Sequence, residues 1–137
     1  MRNELLVVED ADVHQSILRM IAAQAGFNTT GASSVDAAAA ILRERQFDCV
    51  TLDLSLGERS GTEVLQLLAA NKYRGPLLII SASEDQALDA SARIGSFLDL
   101  NVYPPFHKPI NLPLLRQTLK QIAGDTERRK QIQAASW

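Results

Sequence analysis

The sequence has one cysteine, five prolines, few aromatic residues and no long apolar run. The lone Cys49 cannot close an internal disulfide and lies in an apolar stretch, which predicts a buried, reduced thiol. No stretch reaches the roughly 20 apolar residues of a membrane span, and the N-terminus lacks the apolar core of a signal peptide. These absences predict a cytoplasmic protein with no membrane contact.

An excess of charge of one sign is also lacking. Lys and Arg number 14 against 16 Asp and Glu, so the net charge is −2. Basic residues do not cluster as a nucleic-acid surface requires, so we expect no nucleic-acid binding by this chain. The length of 137 residues and the apolar fraction of 46% are typical of one globular domain.

Short apolar runs alternate with helical patterns along the chain. Leu5–Val8, Cys49–Leu54 and Leu77–Ile80 are almost continuous runs of Leu, Val and Ile, typical of parallel strands covered on both faces. The more polar Phe27–Ala32 and the proline-containing Val102–Phe106 suit the two edges. The order βαβαβαβαβα predicts an α/β fold: a doubly wound, flavodoxin-like parallel sheet of five strands, in the order 2-1-3-4-5, with five helices.

Capping residues mark where the predicted helices begin and end. Ser33 or Ser34 can cap the second helix, and Glu84 opens the fourth, since a side-chain oxygen or negative charge suits a helix N-terminus. The fifth helix begins after Asn111 and is predicted to end at Gly124.

Acidic residues follow two of the predicted strands. Glu9 and Asp10 follow the first strand, and Asp53 ends the third. In this strand order the two strands flank the point where the winding reverses, and ligands bind beyond the carboxyl ends there. Three carboxylates facing one crevice suit Mg²⁺, which takes oxygen ligands and commonly combines one or two carboxylates with a phosphate oxygen. The cysteine and the two histidines are not spaced for a zinc site.

A hydroxyl and an amine are predicted at the same rim. Ser81 ends the fourth strand and Lys108 follows the fifth. This set of groups suits phosphoryl transfer: a cation and Lys108 would neutralise charge on the phosphoryl oxygens, Ser81 would donate a hydrogen bond, and one carboxylate would attack. Asp53 is the best candidate nucleophile because it stands alone, whereas Glu9 and Asp10 share the metal.

With these residues the sequence resembles the response-regulator receiver domain of two-component signalling, over about residues 3–122. That family has an acidic pair after strand one, a phospho-accepting Asp after strand three, Ser or Thr after strand four, and Lys-Pro after strand five. The matching residues here are Glu9, Asp10, Asp53, Ser81, Lys108 and Pro109.

The resemblance implies a phosphoacceptor and its metal ligands. Asp53 would accept the phosphoryl group, with Ser81 and Lys108 stabilising it. Mg²⁺ would be held by Asp10, Asp53 and the backbone carbonyl of Ser55, with Glu9 acting directly or through water.

The family also supplies structural expectations and one departure. Gly61 matches the glycine eight residues past the acceptor, and the Lys108–Pro109 peptide is often cis in receivers. Receivers usually carry an aromatic residue three positions before the lysine, which swings with the phosphorylated state. Here that position is Pro105, with Tyr103 and Phe106 on either side, so the usual switch cannot operate in the same way.

The function implied by the resemblance is phosphoryl acceptance from a phosphohistidine of a sensor histidine kinase or histidine phosphotransfer protein. The chain would catalyse only its own Mg²⁺-dependent phosphorylation and dephosphorylation, and phosphorylation would switch its protein–protein contacts. Three alternatives stay open. One is an unphosphorylated receiver-like binding scaffold, which Pro105 favours. Another is an Asp-nucleophile phosphatase of the haloacid-dehalogenase type, which would need an acid where Ser55 stands. The third is a flavin binder, disfavoured because the first-loop acids would repel the flavin phosphate.

The predicted domain covers residues 1–123, and residues 124–137 form a C-terminal tail, helix extension or linker. An extension that continues the last helix could pair two copies of the chain, so a homodimer is one expectation for this segment.

Overall fold

Alternating strands and helices run through the whole described chain. The computed structural model describes residues 2–56, 59–81, 93–95 and 98–135, with backbone only for residues 55, 56, 59, 60 and 81. The elements in chain order are β1 (Asn3–Val8), α1 (Asp12–Gln24), β2 (Phe27–Ala32), α2 (Val35–Glu44), β3 (Cys49–Asp53), β4 (Ser55–Leu56), β5 (Arg59–Ser60), α3 (Thr62–Ala70), β6 (Pro76–Ser81), β7 (Asn101–Val102), β8 (Phe106–His107) and α4 (Leu112–Ala135).

The main sheet is parallel and has the order β2-β1-β3-β6-β7, with β8 pairing farther along β6. With β7 and β8 taken as one interrupted fifth strand, this is the predicted 2-1-3-4-5 order. The register pairs Val8 with Leu52, so the next residues, Glu9 and Asp53, lie at the same end of neighbouring strands. The strands β4 and β5 form a separate antiparallel hairpin, which the sequence analysis did not predict.

The apolar core lies on both faces of the sheet, which explains the nearly continuous apolar strands. Leu6, Val8 and Leu52 point toward α2 and α3, whereas their neighbours Leu5 and Val7 point toward α1 and α4. This alternation follows from the two-residue period of a strand. The helix residues that cover the sheet are Val35, Ala38, Leu42, Val64, Leu65 and Leu68 on one face and Leu18, Ile21, Ala22, Leu115, Leu119 and Ile122 on the other.

Two helices begin at the predicted caps. The Oγ of Ser34 accepts a hydrogen bond from the Ala37 N–H at 3.0 Å and caps α2. The Oδ1 of Asn111 accepts from the Leu114 N–H at 3.1 Å at the start of α4. In each case a side-chain oxygen satisfies an N–H that has no partner within the helix.

The fifth strand is not continuous, which corrects the predicted strand Val102–Phe106. Pro104 and Pro105 separate β7 from β8, and neither proline has an N–H to donate to the sheet. The Tyr103 N–H still donates to the Leu77 carbonyl at 2.9 Å. The chain therefore follows the edge of β6 without forming a regular ladder between the two short strands.

The last helix does not end at Gly124, contrary to the prediction, but continues to Ala135. A glycine within a helix costs about 0.5–1 kcal/mol relative to alanine, and contacts of the following turns with the domain offset this cost. Thr126 is buried, and the Lys130 ammonium donates to Asn3 Oδ1 at 2.9 Å and to the Asp48 carboxylate at 3.1 Å.

The predicted fourth helix, beginning at Glu84, lies largely outside the described residues, of which 93–95 are helical. None of the helices in the described ranges combines the length and hydropathy needed to cross a bilayer.

Candidate functional site

The carboxyl end of β1 holds Glu9 in a fixed position. The Glu9 N–H donates to the Ala32 carbonyl at 3.0 Å, and the Glu9 carbonyl accepts from Gln15 Nε2 at 3.0 Å. The side chain is fully buried, with 0% exposure. Because its backbone is held from β2 and from α1, the Glu9 carboxylate points into the crevice between β1 and β3.

Lys108 lies opposite and joins two of the strand-end acids. Its Nζ is 2.5 Å from Asp53 Oδ2 and 3.0 Å from Glu9 Oε1. Burial would lower the pKa of the Lys108 ammonium, but its hydrogen bonds with Asp53 and Glu9 and their negative charges outweigh that effect and raise the pKa. The lysine therefore stays charged, as a group that balances negative charge must.

Three carboxylates meet at this rim. Oxygens of Glu9, Asp10 and Asp53 lie within 4.8 Å of one another. Among the described residues, the buried Oε2 of Glu9 has no hydrogen-bond partner. A buried carboxylate oxygen without a partner costs free energy, which a bound cation would remove. The donors are all oxygens, as Mg²⁺ prefers, so the residues present fit this ion.

Burial raises the pKa of Glu9 to about 7, and the adjacent Asp53 carboxylate adds to the rise while Lys108 opposes it. The folded protein therefore holds this proton more tightly than the unfolded chain does. From about pH 4.5 to about pH 7 the Glu9 contribution to stability is lost as pH rises, because the buried carboxylate becomes charged.

We expect the free energy of unfolding of the metal-free protein, measured by urea titration, to fall by about 1–3 kcal/mol more in wild type than in Glu9→Gln between about pH 5 and about pH 8. Saturating Mg²⁺ should abolish the difference, since the ion favours the charged carboxylate. Parallel pH profiles of the two proteins without metal would contradict this assignment.

The other predicted site residues lie at the same end of the sheet. Ser55 begins β4 directly after Leu54, and Ser81 ends β6, where it pairs with His107 next to Lys108. The side chains of both serines lie outside the described part, so their roles stay predictions. The Lys108–Pro109 peptide bond is cis, as the resemblance implies.

Gly61 lies against the backbone that carries Asp53. Its N–H donates to the Leu54 carbonyl at 2.9 Å and closes the β4–β5 hairpin. A Cβ at this position would lie 2.7 Å from Leu54 Cα and 2.9 Å from the Asp53 carbonyl oxygen. Backbone atoms cannot rotate away as a side chain can, so only glycine fits here.

The predicted switch region packs as part of the edge strand. Tyr103 and Phe106 are half-buried against the core cluster shared with α1 and α4. Pro105, also half-buried, lies between them and has a fixed ring in place of a rotatable aromatic side chain. The structure contains no second state, so a role in switching stays a prediction.

His14 belongs to this site, although the sequence analysis did not place it there. Its Nδ1 lies 3.3 Å from Lys108 Nζ and 3.4 Å from Glu9 Oε1. Its side chain is 51% exposed. The sequence carried one indication: α1 begins at Asp12, so His14 lies in its first turn, directly over the acidic loop.

An apolar groove of about 590 Å³ borders the site. It lies between α1 and the segment joining β8 to α4. The residues lining it are His14, Ile17, Leu18, Lys108, Pro109, Ile110 and Leu112. On the same helix, Val13 and Met20 are exposed, so the apolar surface extends along α1 beyond the groove.

Fold and site together define a flavodoxin-like α/β domain with a lysine-bridged acidic pocket at its switch point. The family model described as "Response regulator receiver domain" matches residues 5–120. The chain belongs to this family, the receiver domains of two-component response regulators.

Individual relatives agree with this membership. The transcriptional regulatory protein ZraR of Salmonella typhimurium is 30% identical over 123 residues, which are 90% of this chain and 27% of that protein. The chain thus spans about a quarter of that relative's length.

Solved structures share the fold. A response regulator from Colwellia psychrerythraea superposes with a TM-score of 0.78 at 24% identity, over 91% of this chain and 99% of that one. A Burkholderia pseudomallei response regulator, solved with a phosphorylated aspartic acid, calcium ion and citrate, has a TM-score of 0.72 at 20% identity, over 96% of this chain and 74% of that one.

Proposed function

We propose that this receiver accepts a phosphoryl group on Asp53 from a phosphohistidine of a sensor histidine kinase or histidine phosphotransfer protein. The observation that carries the proposal is the contact of Asp53 with Lys108 at 2.5 Å, beside the acids Glu9 and Asp10. A nucleophile, a fixed positive charge and a cation-binding donor set are thereby assembled in one pocket. The phosphorylated aspartic acid of the Burkholderia pseudomallei protein supports the same chemistry.

Bond changes in the transfer are confined to one phosphorus atom. An oxygen of the Asp53 carboxylate attacks the phosphorus and forms a P–O bond, while the P–N bond to the donor imidazole breaks and its electron pair stays on nitrogen. In dephosphorylation an oxygen of water attacks the phosphorus and forms a P–O bond, the P–O bond to Asp53 breaks with its electron pair on the carboxylate, and inorganic phosphate leaves with the proton that water releases. Lys108 stabilises the phosphoryl oxygens in both steps, since it carries positive charge within contact distance of the acceptor.

The carboxylates of the site would also act as metal ligands. Asp10, Asp53 and the Ser55 carbonyl, with Glu9 directly or through water, would hold Mg²⁺, which would supply positive charge beside the phosphoryl oxygens. The buried Oε2 of Glu9, which has no hydrogen-bond partner in the described part of the chain, supports a cation at this position.

The groove beside the site suits a helical phosphodonor. Val13, Ile17 and Met20 follow a spacing of four and three residues along α1, which puts them on one side of the helix. Because this apolar surface reaches the groove next to Lys108, a docked helix would bring its phosphohistidine over Asp53. Phosphorylation would then change the contacts that this surface, or another one, makes with a downstream protein.

Incubation with acetyl phosphate tests the proposal. We expect wild type to gain one phosphoryl group by intact-mass measurement when Mg²⁺ is present and none when EDTA replaces it. The acyl phosphate should disappear on treatment with hydroxylamine, which distinguishes it from a phosphoserine. A protein that binds Mg²⁺ and stays unmodified would favour the binding-scaffold alternative, and repeated turnover of small phosphate esters would favour the phosphatase.

A further inference from the structure

The Lys108 ammonium has three protons, and three acceptors surround it. Asp53 Oδ2 lies at 2.5 Å, Glu9 Oε1 at 3.0 Å and His14 Nδ1 at 3.3 Å from Nζ. A lysine ammonium has three donors and no acceptor, so a hydrogen bond between Lys108 and His14 has Nδ1 as the acceptor, in the tautomer that carries the imidazole proton on Nε2. The Lys108 side chain is 18% exposed, and His14 covers it on the side facing the apolar groove.

We propose that His14 is a positioning residue for phosphoryl transfer and acts through Lys108. The inference rests on the proposed function of Asp53. Transfer places phosphoryl oxygens beside the present position of Asp53 Oδ2, so the lysine proton that now serves Asp53 becomes the donor to the phosphoryl group. Glu9 and His14 then hold the other two protons and direct the third at the reacting oxygens.

The position of His14 makes this role specific to one ring nitrogen. Glu9 Oε1 and His14 Nδ1 are 3.4 Å apart with Lys108 Nζ near both, so their lone pairs converge on the same ammonium. Without the imidazole the third proton would turn to solvent and the ammonium would rotate more freely. Positioned donors contribute to catalysis because they do not reorganise during the reaction.

Replacing His14 by asparagine or by glutamine separates the effect of losing the acceptor atom from the effect of changing the side-chain volume. The Asn side-chain oxygen is attached to Cγ, as Nδ1 is in histidine, whereas the Gln amide reaches about as far as Nε2. His14→Asn should therefore keep the acceptor, and His14→Ala and His14→Gln should lose it. Ser16→Ala, a change at an exposed residue two positions farther along α1, is the matched control for disturbing this helix.

The experiment measures the rate of phosphoryl uptake from acetyl phosphate at saturating Mg²⁺ and one fixed pH. We expect uptake about three- to tenfold slower in His14→Ala and His14→Gln, and wild-type rates within about twofold in His14→Asn and Ser16→Ala. The Mg²⁺ Kd, measured by calorimetry, should stay within about twofold in all four, because none of the variants removes a carboxylate of the site.

Three outcomes overturn the role of His14: an unchanged rate in His14→Ala, a normal rate in His14→Gln with a slow His14→Asn, or an equal loss in Ser16→Ala. Failure of the wild-type protein to take up a phosphoryl group would instead refute the proposed function itself, so the two failures are distinguishable.

Discussion

Replacing Asp53 by asparagine is expected to abolish phosphoryl uptake from acetyl phosphate, with a loss of at least about 100-fold in rate, because the amide oxygen is a far weaker nucleophile than the carboxylate. Asp53 is 3% exposed and in contact with Lys108. Intact-mass time courses at saturating Mg²⁺ measure the loss.

The matched control is Asp48→Asn, because Asp48 directly precedes β3 and Asp53 is the last residue of that strand. Asp48 accepts hydrogen bonds from the Glu4 N–H and from Lys130, far from the acidic pocket. Asp48→Asn should therefore lose some stability and take up the phosphoryl group at the wild-type rate. Substantial uptake by Asp53→Asn would show that Asp53 is not the acceptor.

The same variant has a second expected effect that does not depend on phosphorylation. The Asp53 carboxylate is one of the groups that raise the pKa of Glu9, so removal of its charge should bring that pKa closer to its usual range. The pH dependence of unfolding in EDTA should then be shallower in Asp53→Asn than in wild type. This measurement also shows whether the variant is folded.

Replacing Gly61 by alanine is expected to lower the free energy of unfolding by about 1–3 kcal/mol, as overpacking in a closed space usually does. The new methyl group would overlap Leu54 Cα and the Asp53 carbonyl oxygen, which are backbone atoms of the segment that carries the acceptor. We also expect phosphoryl uptake to slow by about tenfold, because a small displacement of a reacting group is costly. Urea unfolding and the uptake assay measure both effects.

Gly124→Ala is the matched control for the loss of a glycine. Gly124 lies inside α4, and the nearest atom to an added Cβ is Arg128 Nη1 at 3.6 Å, an ordinary contact. This change should raise the free energy of unfolding by about 0.5–1 kcal/mol, since alanine is the better helix former. A Gly61→Ala protein as stable as wild type would show that the hairpin backbone can move away.

Pro105 limits the ways in which phosphorylation could change the surface that a partner protein contacts. The rigid proline ring lies between β7 and β8 at the sheet edge, where receivers usually carry a rotatable aromatic side chain. Tyr103 is anchored through its N–H to Leu77 and packs against the core. A conformational response, if transfer occurs, must therefore use groups other than a side chain at position 105.

Local patterns were sufficient for most of the fold. The apolar strands, the Ser34 and Asn111 caps and the strand order could be predicted because each depends on residues close in sequence or on a general rule of α/β topology. The interrupted edge strand and the passage of α4 through Gly124 could not. Both depend on competition between a local preference and distant partners such as Asn3 and Asp48, which lie 127 and 82 residues from Lys130.

The sequence by itself determined which chemical groups stand at the strand ends: the acids Glu9, Asp10 and Asp53, and the amine of Lys108. Their actual contacts were decided by the tertiary structure, because Lys108 and Glu9 are separated by 99 residues and meet only through strand register and side-chain packing. The same packing left Glu9 Oε2 without a hydrogen-bond partner among the residues that the structure describes, and it brought His14 Nδ1 within 3.3 Å of the Lys108 ammonium. No local pattern in the sequence predicts either of these two results, because each depends on ångström-scale distances between separate elements.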